Sequence, residues 1–316
     1  RRPRGRCRSR CEGGAGTYSD GKLYTRIRDP RVRVIYEDLV AFGAQPEILV
    51  DAHPHVGTNR LVKVLRRLRT HLLDAGCELR FDSCVVDLVR DGTGRVAGVQ
   101  LADGEEITGP QVILATGHSA RDVYGLLHRS GVSMERKAFA VGARVEHPQA
   151  LIDTIQYGAH AGREELGAAP YAVTARVGSR GVYSFCMCPG GYVIPTTTEL
   201  EHLNVNGMSN AKRGSEWANS ALVVTIEPSD FWIETPGDLD HKGPLAGIAF
   251  QRHLEASAFR HGGGGYVAPA QRLTDFLARR LGGLPATTSY RPGVGAAEVH
   301  ALLPDRISSP LARAIL

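Results

Sequence analysis

Apolar positions recur with helical spacing most clearly in the first quarter of the chain. Leu61, Leu65, Leu68 and Leu72 stand four, three and four residues apart, an amphipathic stripe that predicts a helix within residues 53–76. Thr58 after Gly57 suits its N-cap, and Gly76 suits the left-handed residue just past its end. The pattern then changes to strands. Val85–Arg90, Val96–Leu101 and Glu105–Thr108, broken by the turns Asp91-Gly-Thr-Gly94 and Asp103-Gly104, read as a three-stranded meander. An apolar run, Val112 to Ala115, stops at Thr116-Gly117, and Ser119 with Asp122 forms a helix-start signature. That stretch predicts strand, glycine turn and helix. In α/β sheets, ligands lie beyond the carboxyl ends of such strands.

Farther on, Ala138–Glu146 reads as a strand ended by Pro148, and Leu151–Tyr157 as a short helix. Tyr171–Val177 and Gly181–Met187 alternate around Gly178-Ser-Arg-Gly181, a hairpin signal, and Ala221–Glu227 is a further strand. Two helices are predicted at Leu245–Arg260 and Pro269–Leu281.

Length and composition narrow the class. The 316 residues allow one large domain or two ordinary ones, and 42% hydrophobic content supplies a core. No apolar run approaches the length of a membrane span. The net charge is +5, but Arg1, Arg2, Arg4, Arg6, Arg8 and Arg10 carry six positive charges, so the rest stands at +5 − 6 = −1. A nearly neutral body argues against a nucleic-acid footprint. The basic start fits a targeting remnant, a nucleic-acid arm, or unrelated sequence joined to a truncated protein; the last is favoured, and residues 1–11 are expected to be unstructured. Cys7, Cys11, Cys77, Cys84, Cys186 and Cys188 form neither a small disulfide framework nor a zinc pattern. Reduced thiols in an intracellular compartment, cytoplasmic or organellar, are the expectation.

Glu12-Gly-Gly-Ala-Gly-Thr-Tyr-Ser-Asp-Gly-Lys22 holds four glycines in eleven residues. It reads as a loop whose backbone can approach a ligand closely and offer N–H groups to an anion. It matches neither the Walker spacing nor GxGxxG. With Leu23 it resembles the signature of a family of uncharacterised FAD-dependent dehydrogenases, flavoproteins with two dinucleotide-binding domains. Further resemblances follow in order: His55-Val-Gly-Thr58, Ala115–Asp122, Phe139–Gln149, Gln156-Tyr-Gly158, Cys186-Met-Cys-Pro-Gly-Gly191, Asn206-Gly-Met-Ser209, Pro269-Ala-Gln271 and Ser289–Val294.

The resemblance implies FAD as cofactor, with NAD(P)H as a candidate electron donor and a small-molecule substrate. It places Gly13, Gly14, Gly16, Thr17, Ser19, Asp20 and Lys22 near the phosphates or ring, Val85 at the adenine, and Thr116, Gly117 and His118 at the return crossing. It also places a strand at Cys77–Phe81. The implied fold is α/β with an α+β insert. A partial Rossmann-like FAD/NAD(P)-binding domain with a meander spans residues 12–139, a mixed-sheet substrate domain 140–285, and the FAD domain returns at 286–316. The family's GxGxxG unit and its final flavin-closing segment have no counterpart here. A cofactor-free remnant acting as a binding or structural module is therefore the alternative. Glu12–Lys22 and Thr116–Ser119 are expected to face one cleft.

Other constellations leave alternatives open. On a regular strand Cys186 and Cys188 would share a face, with Cα atoms roughly 6.5–7 Å apart, at the edge of disulfide geometry. A redox pair competes with two small buried residues. His53 and His55 flank Pro54 without a nearby third metal ligand. Arg144, Glu146 and His147 either hold an acidic substrate or pair with each other. No G-x-S-x-G elbow supports hydrolase chemistry.

Overall fold

The computed structural model describes residues 13–18, 21–23, 25, 27–231 and 243–316. Helices α1 (Gly14–Tyr18), α2 (Arg31–Ala41) and α3 (Thr58–Asp74) come first, followed by strands β1 (Val85–Arg90), β2 (Val96–Leu101) and β3 (Glu106–Thr108) and helix α4 (Arg121–Arg129). Next are β4 (Phe139–Pro148), α5 (Gln149–Tyr157), β5 (Thr174–Val177), β6 (Arg180–Cys188), β7 (Gly191–Pro195), β8 (Val205–Ser209) and β9 (Trp217–Ile226). The chain closes with α6 (Ala246–Gly262), β10 (Ala268–Ala270), α7 (Leu273–Leu277), β11 (Val294–Ala296), α8 (Val299–Leu302) and α9 (Asp305–Ile315). This is a mixed α and β fold with several antiparallel sheets. It divides into two compact units, one comprising residues 1–69, 138–230 and 251–316, the other 70–137 and 231–250.

The larger unit is built on an antiparallel sheet in the order β4-β9-β6-β5. β4 and β9 pair over ten rungs, from Phe139 opposite Ile226 to Pro148 opposite Trp217. Gly142 lets them approach, because a Cβ there would lie 1.8 Å from the Leu222 carbonyl oxygen. The predicted hairpin forms across Gly178-Ser179, with Gly178 in the left-handed region at φ +60° that tight hairpin turns require. Helix α9 packs on this sheet, burying Ile307, Ser308 and Leu311. A second core joins Ala44, Ile48, Val56, Leu61 and Val64, with Leu23, Tyr36, Leu39, Val40, Phe42 and Leu65 packed on it. Leu61 and Leu65 are half of the predicted stripe, and Gly76 takes φ +84° as expected. Thr58 is the first helical residue rather than a cap, and its buried Oγ1 meets no hydrogen-bond partner among the described residues.

The smaller unit contains the meander, in order β1-β2-β3 and antiparallel as predicted. Asp91 Oδ1 shapes its first turn by accepting from Thr93 N, Thr93 Oγ1 and Arg95 N. Gly98 has no room for a side chain, since a Cβ would stand 2.4 Å from the Ile107 carbonyl oxygen.

Four local expectations are corrected. Val112–Ala115 is not a strand, and Ile113 is 87% exposed. A strand needs a ladder partner for its N–H and C=O groups, and this run finds none among the described residues. Cys77–Phe81 forms no strand for the same reason, and Asp82 follows it at φ +56°. Ser119 does not cap α4: its Oγ bonds His118 Nδ1 at 3.0 Å, and the N-cap position falls on Ala120. Pro269–Leu281 is not one helix. Ala268–Ala270 instead pairs in parallel with Val294–Ala296, and only Leu273–Leu277 is helical. A partner some twenty-five residues away overrides the local helical pattern there.

Candidate functional site

The glycine-rich segment is not an open loop throughout, because Gly14–Tyr18 closes into one short helical turn. Its residues divide into two sets. Thr17 is buried, and Gly13 packs against it, since a Cβ on Gly13 would lie 1.9 Å from Thr17 Oγ1 and 2.3 Å from Leu65 Cδ1. Gly14 and Gly16 have nothing among the described residues within 4 Å of where a Cβ would stand. Ser19 and Asp20 lie outside the described residues. So do Arg1–Arg10.

Beyond the turn, the segment locks onto the residues just before α3. Val56 N–H donates to the Gly21 carbonyl and Leu23 N–H to the Pro54 carbonyl, both at 3.0 Å, around a bridge between Lys22 and His55. Gly21, at φ +67°, sits against Gly57, whose nitrogen would be 3.1 Å from an added Cβ. His55 thus serves as a buried partner in a backbone bridge. No group of three or more metal-ligating side chains occurs among the described residues.

This bridge directs Lys22 onto the end of β6. Its ammonium donates to the Met187 carbonyl, and it lies 4.0 Å from Cys186 Sγ and 3.7 Å from Cys188 Sγ. The strand is not regular there. The β6–β9 register shifts between Phe185 and Cys188, and Cys186 takes φ +51°, so the alternation of a regular strand does not govern the two cysteines. Their sulfurs nevertheless converge on one ammonium. Cys188 is fully buried, whereas Cys186 is partly exposed.

Arg144 braces the other side of the bulge. Its guanidinium reaches the Cys186 carbonyl at 3.3 Å, Asn219 Oδ1 at 2.8 Å and Asn206 Oδ1 at 2.8 Å. Gly207 is tied to this node, for a Cβ there would lie 2.2 Å from Asn219 Oδ1 and 2.9 Å from Cys188 Sγ. Arg144, Glu146 and His147 each have hydrogen-bond partners on other elements. Glu146 accepts from Thr288 Oγ1 at 2.7 Å and from the amide and hydroxyl of Ser289. His147 Nε2 meets the Tyr171 hydroxyl at 3.0 Å. Burial holds the His147 imidazole below its ordinary pKa, with Glu146 opposing, so burial favours the neutral ring. Burial also pushes the Tyr171 phenol up.

In the smaller unit, Val85 begins β1 opposite Leu101. Thr116, Gly117 and His118 lie in irregular chain before α4, with Gly117 at φ +80°. Motif reading alone did not reveal the roles of Asn206, Asn219, Thr288 and Ser289. Two of them belonged to quoted motifs, but single sequences carry no signal that an amide will receive a guanidinium from a distant strand.

A family model described as "FAD-dependent protein, C-terminal domain-like" matches residues 138–316, more than half of the chain. The match takes in Arg144, Glu146, Cys186, Cys188, Asn206 and Asn219 and begins after the glycine-rich segment. An uncharacterised protein of Clostridium beijerinckii is 41% identical over 309 residues, covering 96% of this chain and 56% of the relative. The chain thus spans a little over half the length of that relative. On the extent of the family match, the chain belongs to the FAD-dependent proteins with this C-terminal domain.

Proposed function

We propose that the chain belongs to an FAD-dependent oxidoreductase, a dehydrogenase acting on a small molecule, with NAD(P)H as a candidate donor. Its Rossmann-like character and the 12–139, 140–285 and 286–316 division belong to this proposal. One observation carries it: the Pro54–Val56 backbone pins Gly21 and Leu23, Gly14 and Gly16 stand open among the described residues, and Lys22 reaches the end of β6 in the matched domain. Open glycine backbone permits the close approach that a dinucleotide needs, and Lys22 in the same segment supplies an ammonium that suits a negatively charged group. The residues therefore fit the cofactor.

When bound, the flavin would supply the two-electron chemistry. Gly14 and Gly16 would admit it, and Lys22 would offset negative charge. Arg144, held between Asn206 and Asn219, would orient the carbonyl-lined bulge beside it. Val85 and Thr116–His118 are assigned by resemblance alone.

The test is flavin retention. A version extended upstream should purify with a visible flavin spectrum that NADPH or NADH bleaches anaerobically. Gly16→Val should abolish that spectrum while leaving the far-UV circular dichroism unchanged, because the new Cβ meets nothing among the described residues. Full flavin occupancy in Gly16→Val would defeat the site assignment. A colourless extended protein would favour the cofactor-free module instead.

A further inference from the structure

We infer that Cys186 and Cys188 form a thiol–disulfide exchange centre, with Cys186 attacking, Cys188 resolving, and a small organic disulfide as the substrate class. This activity requires no flavin and stands or falls apart from the cofactor proposal.

The geometry separates the two thiols by role. Cys186 is partly exposed, so an external disulfide can reach it. Cys188 is fully buried, enclosed by Gly191 and Gly207, where an added Cβ would crowd its Cβ at 3.0 Å and its sulfur at 2.9 Å. An external molecule therefore meets Cys186 first. Both sulfurs lie within 4.0 Å of the Lys22 ammonium, and a neighbouring ammonium favours the thiolate, the reacting form. An extended strand would hold the pair at the outer limit of disulfide reach, but the register shift and the left-handed Cys186 replace that extended stretch. Non-glycine residues held at positive φ beside bulges cluster at functional sites. Arg144 on the Cys186 carbonyl and Lys22 on the Met187 carbonyl clamp this conformation from one strand and a distant segment.

The exchange balances as follows. The Cys186 thiolate attacks one sulfur of R–S–S–R; that bond breaks, and the first RS⁻ leaves and takes a proton from water. Cys188 loses its proton to water and attacks the Cys186 sulfur, expelling the second RS⁻, which is protonated in turn. The two cysteines end as a disulfide, oxidised by two electrons, and the substrate ends as two thiols, reduced by two. An external dithiol restores the pair.

Glutathione disulfide is the probe, applied to the full chain without flavin, with products mapped by peptide mass spectrometry. The parent should yield an intramolecular Cys186–Cys188 disulfide and little glutathione adduct. Cys188→Ser should accumulate the adduct on Cys186. Iodoacetamide should alkylate Cys186 about tenfold faster than the exposed Cys77 at neutral pH. Lys22→Met should remove that advantage, and Lys22→Arg should restore most of it. Adducts spread equally over Cys77 and Cys186 in Cys188→Ser would overturn the inference, as would a Cys186 rate equal to that of Cys77. The Cys188→Ser result decides the matter even if Lys22→Met fails to fold.

Discussion

Two apolar stretches of similar composition have opposite fates in this molecule. Ala221–Ile226 lies inside β9, paired on one side with β4 and on the other with β6, and Val224 and Ile226 are fully buried. Val112–Ala115 has no ladder, and Ile113 and Leu114 are 87% and 44% exposed. Both runs carry β-branched residues, so propensity does not separate them. The difference is partnership: a strand is stabilised by what lies beside it, through satisfied backbone groups and cross-strand packing. The larger unit supplies such neighbours on both sides of β9, whereas no ladder partner for Val112–Ala115 occurs among the described residues.

The sharpest way to break this comparison is to place the same charge in each stretch. Val224→Asp would bury an unpaired carboxylate and should cost more than about 4 kcal/mol, enough to prevent the larger unit from folding. Ile113→Asp should change stability by no more than about 0.5 kcal/mol. Urea unfolding of both variants would measure the contrast, and equal losses would show that Ile113 is buried in solution.

A smaller effect separates glycines of the two units. Gly142→Ala drives a methyl group into the Leu222 carbonyl across β4 and β9, and should cost about 2–3 kcal/mol. Gly92→Ala, in the β1–β2 turn with nothing within 4 Å, should stay within about 0.5 kcal/mol. A thermal melt distinguishes them, and an unaffected Gly142→Ala would mean that the β4–β9 ladder yields to an added methyl group.

The smallest effect concerns ion pairs. Arg180 grips both oxygens of Asp230 at 2.7 and 2.8 Å in the larger unit. Arg180 holds the Asp230 carboxyl below the usual carboxylate range, while burial opposes it. A depressed folded pKa contributes stability above the unfolded value, near 3.8, that is lost as pH falls through the lower folded value. Asp230→Asn should therefore cost about 2 kcal/mol at neutral pH and converge with the parent in acid. Arg80 in the smaller unit bonds Glu78 and Glu105 at the surface, and Arg80→Gln should leave the unfolding midpoint unmoved. A pH-independent loss in Asp230→Asn would assign its role to packing rather than charge.

Much of the local structure was legible in the sequence. The α3 stripe, the Gly76 terminus, the meander turns and the Gly178 hairpin all depend on contacts within a few residues, where periodicity and turn chemistry decide. The candidate site was legible only in its ingredients. The glycine-rich segment and the cysteine pair were visible as motifs, but the bulge that breaks the regular strand at Cys186 was not.

Sequence by itself determined the elements whose stabilising partners are close along the chain, together with the charge contrast between the first ten residues and the rest. Tertiary structure alone decided that Lys22 would meet thiols 164 and 166 residues away. It also placed Arg144 between Asn206 and Asn219, and paired Pro269 in parallel with Gly295 rather than within a helix. Those outcomes rest on long-range pairing. Its entropy is recovered only when the distant partner is in place, and no local pattern records which partner that will be.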